Sequence, residues 1–210
     1  MMKVIVFGAT GSMGRLAVER LLADGHEVTA FARRPEALAL TNPRLNRLTG
    51  YAMKLEEVCD AVAGQDAVVV TLGSGTSRTS VVRSKGTEYI VKAMQHHGVD
   101  RLICQSTLGT GDSWSNLNFF WKRIMFGLLL RPVFLDHERQ EQLVRESGLA
   151  WTIVRPSAFT DGPAVGNYKV DIPTSERRLK LKISRADVAG FLTSCLRDTT
   201  FMHQSVGISH

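Results

Sequence analysis

The stretch Lys3-Val-Ile-Val-Phe7-Gly8-Ala-Thr10-Gly11-Ser12-Met13-Gly14-Arg-Leu16-Ala17-Val18 decides the fold. Residues 4–7 are all apolar, the pattern of a strand buried on both faces of a parallel sheet. A glycine-rich turn follows at once. Met13, Leu16, Ala17, Leu21 and Leu22 then recur at helical spacing as far as Asp24-Gly25, where a glycine can take the left-handed conformation that ends a helix. A strand, a G-x-x-G-x-x-G turn and a helix make the first half of a βαβ dinucleotide site. Gly8 permits the tight turn, and Gly11 lets a pyrophosphate reach bare backbone. Gly14 lets the helix pack close to the strand, and the helix N-terminus offers unpaired N–H groups and positive potential to the anion. Gly8, Thr10, Gly11, Ser12, Met13 and Gly14 are therefore the first cofactor-binding candidates.

Outward from that turn, residues 26–32 read as a second strand, ending at Arg33-Arg34-Pro35. A carboxylate at this distance past the glycines would bind the ribose 2′-hydroxyl of NAD, whereas arginine accommodates the 2′-phosphate of NADP. Guanidinium groups are planar, permanently charged and bidentate, which suits phosphate. Arg33 and Arg34 thus point to NADP(H). Residues 45–49 read as a third strand, 56–63 as a helix, and Asp66-Ala-Val-Val-Val-Thr-Leu72-Gly73 as a fourth strand running into a small-residue loop. Thr71, Leu72 and Gly73 fall beside the glycine turn at the switch point of a doubly wound sheet, where they would cover the adenosine ribose. Arg78 in the same loop is within reach of a phosphate.

Residues 88–97 read as a helix stopped by Gly98. His96 and His97 lie in its last turn, where the helix dipole favours cations, and no partner spacing marks them as metal ligands. A fifth strand, 101–107, ends in the hydroxyls of Ser106 and Thr107, the candidates beside the nicotinamide. Residues 108–135 form a substrate-side insertion. Its run 119–130 is dense in large apolar side chains and fits a lid over an apolar substrate, a subunit contact or plain core, core packing being the commonest fate of such a run. Residues 136–147 read as a charged amphipathic helix, and 150–154 as a sixth strand from which Pro156, Ser157, Ala158 and Phe159 leave on the side of the glycine turn. Residues 179–183 read as a further strand, and Ser184-Arg-Ala-Asp187 caps a last helix.

Composition sets the bounds. The 210 residues fit one Rossmann-type α/β domain, a doubly wound parallel sheet with helices on both faces, and 44% hydrophobic residues can fill its core. Three dispersed cysteines, Cys59, Cys104 and Cys195, read as reduced, buried thiols of a cytoplasmic protein, without metal-ligand spacing. Met1-Met2-Lys3 runs straight into the first strand with no signal peptide, and no apolar run approaches the roughly 20 residues a membrane span needs. The net charge of +6 fits a phosphate-rich cofactor, because no basic helix or aromatic-basic motif points to nucleic acid. A monomer or weak homo-oligomer is expected.

With those residues in view, the chain resembles the atypical short-chain dehydrogenase/reductase superfamily, and within it the biliverdin-IXβ reductase/flavin reductase group. The resemblance rests on Gly8-Ala-Thr-Gly-Ser-Met-Gly14, Ala63-Gly-Gln-Asp-Ala-Val-Val-Val70, Leu143-Val-Arg-Glu-Ser-Gly-Leu149, Gly162-Pro-Ala-Val-Gly-Asn-Tyr168 and Ile183-Ser-Arg-Ala-Asp187. It implies NADPH held by the turn 8–14, Arg33 at the 2′-phosphate, Thr71 to Gly73 along the ribose, Ser106 and Thr107 near the nicotinamide, and Pro156 to Phe159 closing over the ring. The family's Gly-Asp after the third strand is here Gly50-Tyr51. The orthodox Tyr-x-x-x-Lys proton donor is absent: residues 136–141 read Asp-His-Glu-Arg-Gln-Glu. The histidine of the group's closing loop is replaced by Ala158, and His137, on a polar helix, reads as a solvated surface residue. Reduction of a flavin or a linear tetrapyrrole such as biliverdin needs distance and angle more than a protein acid, and it is the expected activity. A non-catalytic NADP(H) sensor of the NmrA-like type is the alternative.

Overall fold

The computed structural model describes residues 1–75 and 77–210. Eight strands form one sheet in the order β3-β2-β1-β4-β5-β6-β10-β8. These are β1 (Lys3–Phe7), β2 (Glu27–Ala32), β3 (Leu45–Thr49), β4 (Ala67–Val70), β5 (Arg101–Gln105), β6 (Ala150–Pro156), β8 (Lys169–Val170) and β10 (Gln204–Ser209). Every pairing is parallel except that of β10 with β8. A two-stranded parallel pair, β7 (Ala158–Thr160) with β9 (Lys182–Ser184), lies beside it. Strand order reverses between β1 and β4, so their carboxyl ends open a crevice there.

Helices α1 (Ser12–Ala23) and α5 (Arg185–Ser194) pack against each other over one face. Helices α2 (Leu55–Val62), α3 (Val82–His97) and α4 (Arg131–Arg145) cover the other. The apolar run of β1 shows why both faces must be covered. Val4 and Val6 enter the core under α1 and α5, while Ile5 and Phe7 enter the core under α2 to α4, and all four are fully buried.

Three elements depart from the sequence reading. Helix α3 starts at Val82 instead of 88, because the Asp136 carboxylate accepts the backbone amides of Arg83 and Ser84 and caps it from a neighbouring helix. Helix α4 starts at Arg131, where Pro132 suits a first helical turn. The strand expected at 179–183 is Lys182–Ser184, since Leu181 has φ +54°, outside extended geometry. Ser184 caps α5 as read, accepting the Asp187 amide at 3.0 Å.

The insertion divides. Leu108, Leu117, Phe126 and Phe134 join Leu181 in a small separate core. Phe120–Leu129 is a π-helical stretch on which Phe120, Ile124, Leu128 and Leu129 stay exposed, as does Phe119 just before it, so plain core packing is corrected for most of this run. Gly127 is needed in the wide turn, where a Cβ would stand 2.8 Å from the Lys122 carbonyl oxygen. Among the described residues no helix is long and apolar enough to cross a membrane.

Gly190 has no such reason to be glycine. It lies inside α5 at ordinary helical φ, and an added Cβ would meet no heavy atom within 4 Å. Gly190→Ala is expected to raise stability by about 0.5–1 kcal/mol through reduced unfolded-chain entropy. Urea unfolding measures it, and an unchanged or lower midpoint contradicts the packing described.

Candidate functional site

A cleft of about 760 Å³ opens at the switch point. It lies within the range of small-molecule and cofactor sites. Its walls come from the carboxyl ends of six strands. After β1 come Gly8, Thr10, Gly11, Ser12 and Met13; after β2, Arg33; after β3, Gly50, Tyr51 and Ala52; after β4, Thr71, Leu72, Gly73 and Ser74; after β5, Ser106 and Thr107. Pro156, Ser157, Ala158 and Phe159 close it from the end of β6.

The turn after β1 is built as the glycines demand. Gly8 takes φ +84°, and a Cβ there would meet the Thr71 carbonyl oxygen at 2.7 Å. The Gly11 amide donates to the Gly8 carbonyl at 3.0 Å. Helix α1 begins with no side-chain cap and no acidic residue in its first turn. Its leading N–H groups and its positive dipole end are left for an anion. On the opposite wall Thr71 is locked by its amide and hydroxyl, which both donate to the Phe7 carbonyl at 2.9 and 3.0 Å.

The charge of the cleft is one-sided. Arg33 and Arg83 line it, and no carboxylate does among the described residues. Arg83 donates to the Ser74 hydroxyl at 3.1 Å and stands 3.8 Å from Asp136. Four buried polar atoms of cleft residues find no partner among the described residues: Gln105 Oε1, Ser106 Oγ, Ser157 Oγ and His137 Nδ1. Buried polar atoms are rarely left unpaired, and four on residues of one cleft fit a polar ligand there. An uncapped helix end, a carboxylate-free wall and these open donors and acceptors fit a dinucleotide with its phosphates at α1 and its amide-bearing ring at the inner end.

His137 corrects the sequence reading. It is buried, 7% exposed, and lines the cleft instead of facing solvent. Burial, helped by the Arg83 charge, pulls its pKa down to about 3, so it is neutral at physiological pH. Beneath it lies a second unexpected feature. Glu141 is fully buried and accepts Arg155 Nε at 2.9 Å and an Arg155 Nη at 2.7 Å, the Thr110 hydroxyl and Arg145 at 2.8 Å. Burial alone would raise its pKa, but the bidentate Arg155 pair holds it below the usual carboxylate range. Ser106 lies beside this carboxylate, close enough to help hold it ionised, yet its Oγ makes no hydrogen bond of good geometry. A signal for both residues was present in the chain: Phe134, His137, Glu141 and Val144 follow helical spacing and form one buried stripe.

Other expectations are corrected. Arg34 and Arg78 are exposed and do not line the cleft. Arg34 instead immediately precedes the short turn Pro35–Ala37. Gly14 does not line the cleft but packs helix on strand as read, since a Cβ would sit 2.2 Å from the Gly8 carbonyl oxygen. Residues 119–130 give the cleft no cover. Trp121 and Phe126 close a separate hollow of about 40 Å³ behind Thr107, Ser157 and Ala158. Cys104 and Cys195 are buried thiols as read, but Cys59 is only half-buried and lies against His97.

A family model described as NAD(P)H-binding matches residues 8–199. The "uncharacterized sugar epimerase" YhfK of Bacillus subtilis is 29% identical, over 90% of this chain and 85% of its own length. Two solved structures share the fold. A short-chain dehydrogenase/reductase from Veillonella parvula in complex with NADP superposes with TM-score 0.82 at 21% identity, covering 100% of this chain and 94% of that one. ChuY from Escherichia coli O157:H7, described as an anaerobilin reductase, superposes with TM-score 0.80 at 24% identity, covering 99% and 96%. With that match spanning the glycine turn, every strand after it up to the last, and all five helices from Ser12 to Ser194, this chain belongs to the NAD(P)H-binding family.

Proposed function

We propose that the protein is an NADPH-dependent oxidoreductase that passes hydride to a free flavin or a similar planar conjugated acceptor such as biliverdin. The observation that carries this reading is the cleft itself. Among the described residues it runs without a carboxylate from the uncapped start of α1 to an inner end where Ser106, Ser157 and His137 present unpartnered polar atoms. When bound, the dinucleotide supplies the hydride. The chain supplies position. The unspent amides of Ser12 and Met13 would hold the pyrophosphate, Arg33 would hold the 2′-phosphate, and Thr71, Leu72 and Gly73 would flank the ribose. Gln105, Ser106, Thr107 and Ser157 would bind the polar end of the nicotinamide, and Pro156 to Phe159 would close the cleft over it. His137, neutral, donates or accepts one hydrogen bond without adding charge, and the proton that accompanies hydride comes from water. The NADP complex of the Veillonella relative and the bilin chemistry in the name of the Escherichia one support this reading.

The test is NADPH consumption by the purified protein with FMN, riboflavin and biliverdin offered in turn. Saturable, acceptor-dependent oxidation is expected. Removing Arg33 forfeits a charge-assisted contact worth about 1.5–3 kcal/mol, so Arg33→Ala should lose about ten- to a hundredfold in kcat/KM for NADPH and little for NADH. Tight NADPH binding with no turnover of any acceptor would overturn the reductase in favour of a cofactor sensor.

A further inference from the structure

We propose that Cys59, His96 and His97 form a binding site for a borderline-soft divalent metal ion, Zn²⁺ being the best match to the donors. His96 and His97 are adjacent and Cys59 lies far from them in the chain, but α2 packs on α3 and brings Cys59 to the last turn of α3. One ligand atom from each lies within 4.8 Å of the other two, and Cys59 Sγ stands 3.3 Å from His97 Nε2. Bonds of about 2.3 Å to sulfur and 2.0–2.1 Å to nitrogen at tetrahedral angles require donors about 3.3–3.6 Å apart. The Cys59–His97 pair already has that spacing, and the exposed His96 ring needs to close by no more than about 1.5 Å to reach it.

Two further features favour a cation here. Neighbouring residues on a helix ordinarily diverge, yet the His96 and His97 rings meet edge to face with centroids 4.7 Å apart. Both lie at the negative end of the α3 dipole, where a cation is stabilised. A thiolate with two neutral imidazoles is a nitrogen–sulfur donor set that suits Zn²⁺ over Mg²⁺ or Ca²⁺. On binding, the Cys59 thiol releases its proton to solvent, both imidazoles stay neutral, and water fills the fourth position. None of the three residues lines the cleft, which meets α3 at its opposite end, about 20 Å along the helix. The ion would staple α2 to α3 and shield the half-exposed thiol.

Titration of the metal-free full chain with Co²⁺ as a spectroscopic stand-in tests the site. A thiolate-to-cobalt charge-transfer band with intense four-coordinate visible bands is expected, displaced by one equivalent of Zn²⁺. Cys59→Ser should lose the charge-transfer band, and His97→Ala should bind at least about tenfold more weakly. NADPH affinity, read separately, should be unchanged in both variants and certifies their folding. Absence of the charge-transfer band in the wild-type chain, or titrations of the two variants that match it, would overturn the site.

Discussion

Glu141→Ala is expected to destabilise the fold by about 3–5 kcal/mol, because it leaves the Arg155 guanidinium buried with its main counter-charge gone. Arg155 is 3% exposed and keeps only the Asp112 carboxylate at the protein surface as an ionic partner. Urea unfolding followed by tryptophan fluorescence gives the value, and a loss below about 1 kcal/mol would show that water reaches Arg155. The double variant Glu141→Leu/Arg155→Met removes both charges and should recover most of the loss. The sign with pH follows from the depressed carboxyl of Glu141. In the unfolded chain it titrates near 4.5, and in the folded chain it stays ionised to lower pH. The pair's contribution is therefore fully present above that value and is lost as pH falls through the folded one. The stability gap between wild type and Glu141→Gln should accordingly be constant from neutral pH to about 5 and shrink below 4.

That pair also shows where reading the chain stops. The first βα unit was legible because its causes are local: four apolar residues, a turn that needs glycine, and an apolar helical stripe all lie within residues 3–25. Arg33 was legible for the same reason, since it follows the turn at a distance set by one helix and one strand. Arg34 was not separable from it, because adjacent arginines of the same chemistry differ only in which one lines the folded cleft, here Arg33. Asp136, His137 and Glu141 look like solvated charges by residue type, and only the stripe they share with Phe134 and Val144 hints at burial for His137 and Glu141. Their partners are the α3 amides, the cleft and Arg155 on β6, and only packing assembles these. The run 119–130 fails in the opposite sense, with hydrophobicity that signals burial while a π-helical path leaves much of it exposed.

Gly14→Ala is expected to weaken NADPH binding by at least about a hundredfold and to cost about 1–3 kcal/mol of stability. Its Cβ would stand 2.2 Å from the Gly8 carbonyl oxygen and 2.8 Å from both the Gly8 carbonyl carbon and Ala9 Cα. All three are backbone atoms, so no rotamer relieves the contact. The first turn of α1 must move about 1 Å from the end of β1, and a shift of that size is enough to misalign amides that act together on one anion. Gly11→Ala separates this packing cost from binding. Its φ of −69° suits alanine, and its Cβ has only the Gly8 carbonyl oxygen near, at 3.2 Å. The methyl group would instead occupy the approach to the turn from the cleft. Gly11→Ala should therefore unfold close to wild type while losing NADPH affinity, whereas Gly14→Ala should lose both. Calorimetric binding and thermal unfolding of the two variants decide it. If Gly11→Ala binds NADPH as wild type does, the pyrophosphate does not lie on this turn. If Gly14→Ala keeps both properties, the tight packing of α1 on β1 is not what holds the anion site in shape.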